Sequence, residues 1–140
     1  MTIQAETVLL GGILLLALIT VESGGWFLTR VLGGRVPATP FQTAFFRAGH
    51  AHAAVLLVLG LVVGLLVDLA AVPEPWAELA RWGAPIAAIL MPAGFFLSAI
   101  GPGRTRPNRL IVLLWIGAAC LTIGLLTAGV ALLVAFAGAL

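Results

Sequence analysis

From Leu110 to Leu140 the chain carries no charged side chain, and about 20 apolar residues are enough to cross a bilayer as a helix. That run fixes the solvent in which the protein folds. Three more lie upstream of it. Val8 to Leu28 has Glu22 as its only charge, Phe45 to Val67 holds Arg47 near its start, and a shorter run from Pro85 to Ile100 begins nearer Trp82. The chain is 62% hydrophobic and 9% charged, against about 25% charged in a typical soluble domain. A water-soluble fold of 140 residues cannot hide that much apolar surface. The expectation is an all-α fold, a single four-helix transmembrane bundle with spans near 8–28, 45–67, 83–100 and 110–138.

Breaker-rich segments separate the runs. Gly33-Gly34-Arg35-Val36-Pro37 opens the first loop, Pro73-Glu74-Pro75 marks the second, and Gly101-Pro102-Gly103 begins the third. The start carries Glu6, no arginine and no small-residue cleavage pattern, so the first run reads as a retained span rather than a signal peptide. Cys120 is the only cysteine, which leaves neither a disulfide nor a cysteine metal site within one chain. A formal charge of +2 does not point to nucleic acid, because the arginines sit in short loops rather than on one face.

Those arginines set an orientation. Arg30, Arg35, Arg47, Arg104, Arg106 and Arg109 flank the first and third loops, whereas the second has only Arg81 among Asp68, Glu74 and Glu78. Positive charge collects on the cytoplasmic side. Both termini are therefore expected outside (N-out/C-out), with the odd-numbered loops in the cytoplasm. Small residues recur every three or four positions along Gly117, Cys120, Gly124, Thr127, Ala131, Ala135 and Gly138, and along Gly49, Ala53, Gly60 and Gly64. Such seams let membrane helices approach closely. Four helices cannot easily bury all of them, which points to a homo-oligomer or a larger membrane partner.

Chemistry concentrates in Glu22, Arg47, His50 and His52, since an ionisable group inside a membrane helix is a functional candidate. Glu22 lies about 9 Å inside the first run, and His50 and His52 about 7.5 and 10.5 Å inside the second, at 1.5 Å per residue. All three share a depth below the cytoplasmic face. Residues two apart diverge by about 200° on a helix, so the two imidazoles cannot both meet one ion. His50 shares an arc with Phe46, Ala53, Leu57, Gly60, Gly64 and Asp68 and should face a neighbouring helix. His52 shares its arc with bulky side chains and faces lipid or a second partner. Glu22 has three outlets: an ion pair with Arg47, a hydrogen bond to His50, or a metal or haem site shared with the histidines. Phe95-Phe96 reads as lipid-facing bulk, Met91-Pro92-Ala93-Gly94 as a kink, and Ser98 and Asn108 as lining for a cytoplasmic-side pocket. Arg104, Arg106 and Arg109 suit an anionic lipid head group.

The stretch Phe45-Phe46-Arg47-Ala48-Gly49-His50-Ala51-His52-Ala53 resembles a motif of small bacterial four-span membrane proteins related to haem-copper oxidase subunit I. That resemblance implies a bacterial inner membrane and a haem iron ligand at His50 or His52. It departs at residues 53 to 56, Ala-Ala-Val-Leu, where an asparagine is missing. Arg47-Ala48-Gly49-His50 also resembles the second helix of the membrane-associated eicosanoid and glutathione metabolism enzymes, trimers of four-span subunits, but lacks their asparagine and glutamate. Two functions follow as expectations. One is a Glu22/Arg47/His50 cluster, with His52 beside it, that binds a haem, metal or quinone-like redox partner or relays protons. The other is a non-catalytic subunit packing into a larger membrane complex through its small-residue seams.

Overall fold

A computed structural model describes residues 2–138 and shows four long helices with no strand among them. They are α1 (Ala5–Leu32), α2 (Pro40–Leu69), α3 (Trp76–Ala99) and α4 (Val112–Ala137), with a single 3₁₀ turn at Arg109–Ile111 before α4. Each is long and apolar enough to cross a membrane, and the chain is a multi-pass membrane protein. The first three helices begin before their apolar runs, and in α2 a local cap carries the helix back to Pro40. Thr39 accepts from the Gln42 amide while the Gln42 side chain accepts from Thr39, a reciprocal cap with Pro40 in the first turn. Pro85 and Pro92 both lie inside α3, and the helix continues through them, as membrane helices commonly do when neighbours surround the freed backbone.

Each helix packs on the next in chain order, with α3 at the centre. In α3, 56% of the most apolar stretch is buried, in α2 39%, and in α1 and α4 only 11% each. The core is layered along the bundle. Leu28, Val31, Phe46 and Ala99 form the layer at the arginine-rich end. Leu10, Leu14, Leu56, Leu57 and Met91 form the middle with alanines of α3, and Val63, Val67, Ala77, Ala80 and Ala128 the far end.

Glycine sets the α3–α4 distance. A Cβ on Gly83 would stand 2.6 Å from the Gly124 Cα, and one on Gly94 would stand 2.5 Å from the Leu114 nitrogen. The helices touch backbone to backbone there. The expected small-residue seam of α4 is thus used against α3 at Gly117 and Gly124, and Ala128, outside that seam, is buried as well. Its later half, from Thr127 to Gly138, borders an open apolar groove of about 750 Å³ facing Ala70–Pro73 and Trp76.

At the arginine-rich end, side chains close the last carbonyls of α3, which have no partner inside the helix. Gln42 Nε2 donates to the carbonyls of Ala99 and Gly101 at 2.9 and 2.8 Å, and Asn108 Nδ2 donates to Leu97 at 2.9 Å. The Thr39 hydroxyl donates to the Arg104 carbonyl, pinning the first and third loops together. Asn108 therefore serves as a cap, and Ser98 is fully buried. The Phe95-Phe96 pair is not lipid-facing bulk: Phe95 packs on Phe45 and His52, and Phe96 stacks on Phe46. Gly49 draws both rings inward, since a Cβ there would meet Phe96 at 2.8 Å.

Candidate functional site

His50 faces α1, as its arc on α2 predicts. Its ring lies against two consecutive glycines, so that a Cβ on Gly24 would stand 3.2 Å from Nδ1 and one on Gly25 3.5 Å from Cε1. An added carbon at 24 would press the imidazole back slightly, whereas one at 25 would only touch it. His50 is half-buried and makes no hydrogen bond among the described residues.

His52 turns instead to α3, with its ring centroid 5.0 Å from that of Phe95. Its Nδ1 lies 2.7 Å from the Ala48 carbonyl. A carbonyl only accepts, so Nδ1 carries the proton of this contact, which leaves Nε2 as the ring nitrogen without a partner. Packing and this contact fix the ring together. The two imidazoles serve different helix interfaces.

Glu22 and Arg47 are both exposed on the outside of the bundle. No ion pair joins them; the ion pairs among the described residues all involve Arg81. Nor do three metal-ligating side chains gather at any one place among the described residues. The contacts between α1 and α2 explain the separation. Leu14 meets Gly60, Gly24 and Gly25 meet His50, and Phe27 meets Phe46. Glu22 is thereby level with Ala51 and His52, and Arg47 with Trp26. The acid and the guanidinium sit on adjacent helices at different heights, on the flank that the small-residue contacts leave open.

The charged centre that the bundle does bury is elsewhere. Arg81 is 2% exposed and Asp68 8% exposed, and Arg81 Nη2 donates to Asp68 Oδ1 at 3.0 Å. The Gln4 amide donates to the other carboxylate oxygen at 2.8 Å. Glu74 adds a longer contact to Arg81 Nη1 at 3.6 Å. The Thr7 hydroxyl and Arg81 Nε are buried beside it without a hydrogen bond. One carboxylate thus ties the entry of α1, the exit of α2 and the first turns of α3. Both residues read from sequence as loop charges. A signal for their burial existed, since Asp68 shares the inward arc of Gly60 and Gly64.

The site's chemistry must be read from the chain itself, because no family model, no curated protein and no solved structure matches it.

Proposed function

We propose that this protein is a subunit that works inside a membrane assembly, seated in a bacterial inner membrane with its arginine-rich loops in the cytoplasm. The observation that carries this reading is the pair of unpartnered charges, Glu22 and Arg47, exposed on two helices apolar enough to cross a membrane. An ionised side chain facing lipid costs about 2.5–3.5 kcal/mol at the centre of a span, and less towards its ends. The surrounding surface fits the same reading, because α1 and α4 leave most of their apolar faces uncovered. The arginine distribution supports the stated orientation. Native mass spectrometry of the full chain released from lipid nanodiscs tests the proposal. More than one copy, or a stoichiometric partner, is the expected result. A lone protomer at every lipid-to-protein ratio overturns it.

His52 favours a second reading, in which α2 serves a haem, a metal or a quinone-like redox partner, or relays protons. Its Nδ1 is engaged by the Ala48 carbonyl, and an imidazole oriented in that way offers Nε2 to a metal or a proton when the ring is neutral. His50 and Glu22 lie within two turns of it along the α1/α2 pair. Protein purified from cells supplied with haem and metals should then carry a stoichiometric chromophore or metal that His52→Ala removes. Colourless, metal-free protein that binds no quinone sinks this reading and leaves the first intact.

A further inference from the structure

The geometry points to a two-fold interface between two copies of this chain, built on the outer face of α1 and α2, in which Glu22 of each copy pairs with Arg47 of the other. It rests on the assembly reading and says which surface assembles, and with what. Placement is the first step. On α1, the residues against α2 include Leu14, Gly24, Gly25 and Phe27, and at 100° per residue Glu22 falls about 110° from the middle of the α2-facing stripe. On α2, Phe46, His50 and Gly60 face α1, and Arg47 lies about 90° beyond that stripe by the same count. Because α2 gives Gly49 and His52 to α3, both rotations lead to the side of the α1/α2 pair away from α3. The acid and the base share one exposed face.

Height is the second step. Glu22 is level with Ala51 and His52, so it lies about 6–8 Å further along the bundle axis than Arg47 at 1.5 Å per residue. Within one copy, the two are separated by that height and by the width between neighbouring helices, and they do not meet. A two-fold axis along the membrane normal changes this. It keeps both copies upright at one depth and lays α1 of each across α2 of its partner. Every Glu22 then faces the second copy's Arg47, with only the height difference left for an arginine side chain to span. The pairing is reciprocal, as an isologous interface requires. Ala51 and Ala54 between them are small enough for close approach. No other arginine competes, because Arg30 is stacked over Trp26 with its guanidinium 4.9 Å from the ring centroid. The outward face of α4 carries no charge, so it makes no such demand for a partner.

The test measures self-association of the full chain in nanodiscs and dilute proteoliposomes by single-molecule photobleaching. Wild type should dimerise. Glu22→Gln or Arg47→Gln should each weaken dimerisation by about tenfold or more, the loss of roughly 1.4 kcal/mol. Charge reversal, Glu22→Arg or Arg47→Glu, should remove it. The double reversal should restore it to within about threefold of wild type, because the pair is exchanged rather than lost. Single variants that dimerise like wild type, or a double reversal that stays monomeric, overturn the interface. If the protein still assembles in that case, the assembly reading stands and another face carries it. Wild type that stays monomeric alone and assembles only with other proteins also overturns the two-fold pairing.

Discussion

Arg81→Ala should destabilise the folded bundle by about 3–5 kcal/mol, the usual cost of removing one partner from a buried ion pair. The reason lies in what remains. Asp68 would keep the Gln4 amide on one oxygen and lose the guanidinium on the other, in a position 8% exposed. An uncompensated buried carboxylate is far costlier than a missing salt bridge. Asp68→Ala should cost a similar amount by stranding Arg81, with the Gln4 amide also losing its acceptor. Replacing both, as Asp68→Leu with Arg81→Met, should recover most of the loss, because an apolar pair needs no desolvation. Denaturation in mixed micelles, followed by far-ultraviolet circular dichroism and Trp fluorescence, reads these differences. A change below about 1 kcal/mol for Arg81→Ala would mean that water reaches the pair.

The same latch shows what the sequence made legible and what it hid. Four helices were readable because burial in lipid demands long apolar runs, although α2 and α3 begin at Pro40 and Trp76, well before the expected starts at 45 and 83. That His50 faces a neighbouring helix was readable for a related reason: the small-residue arc of α2 marks where another backbone comes close, and the structure puts the Gly24–Gly25 seat there. The fate of Glu22 was not readable. Depth along a helix follows from counting, whereas the relative rotation of two helices depends on side-chain packing across the whole interface. Glu22 and His50 were correctly expected at a similar height, yet the acid points outward. Phe95 and Phe96 misled for the opposite reason. Bulky rings in a membrane helix look lipid-facing until a glycine such as Gly49 on the next helix makes room for them.

Charge separates along the bundle in a way that gives the two ends different tasks. The buried Asp68–Arg81 pair closes the end where α1 begins, and it is satisfied within one chain. The other end carries most of the arginines, and its loops are tied by Thr39, Gln42 and Asn108 through neutral hydrogen bonds and by Arg104, whose Nε donates to the Ile100 carbonyl. Neither Glu22 nor Arg47 takes part in any of these ties, so the fold does not need them for its own stability. This is why Glu22→Gln and Arg47→Gln should leave unfolding unchanged to within about 0.5 kcal/mol while altering association.

Gly83→Val should separate α4 from α3, with a loss of about 3 kcal/mol or more at a site where overpacking alone typically costs 1–3. The obstacle is backbone rather than a flexible side chain. Even the first added carbon would stand 2.6 Å from the Gly124 Cα and 3.0 Å from the Cys120 carbonyl oxygen, and neither can rotate aside. α4 has few other holds, since it packs on α3 almost alone and only lightly on α2. Pushing it off at Gly83 should therefore loosen its whole length. Gly129→Ala supplies the contrast: nothing lies within 4 Å of the added carbon, and alanine should be neutral or about 0.5–1 kcal/mol stabilising in mid-helix. The lone Cys120, half-buried beside the contact, reports the outcome directly. A membrane-permeant maleimide should label it faster in Gly83→Val than in wild type, and at the wild-type rate in Gly129→Ala. Equal labelling in all three would show that the Gly83–Gly124 contact does not hold α4 in place.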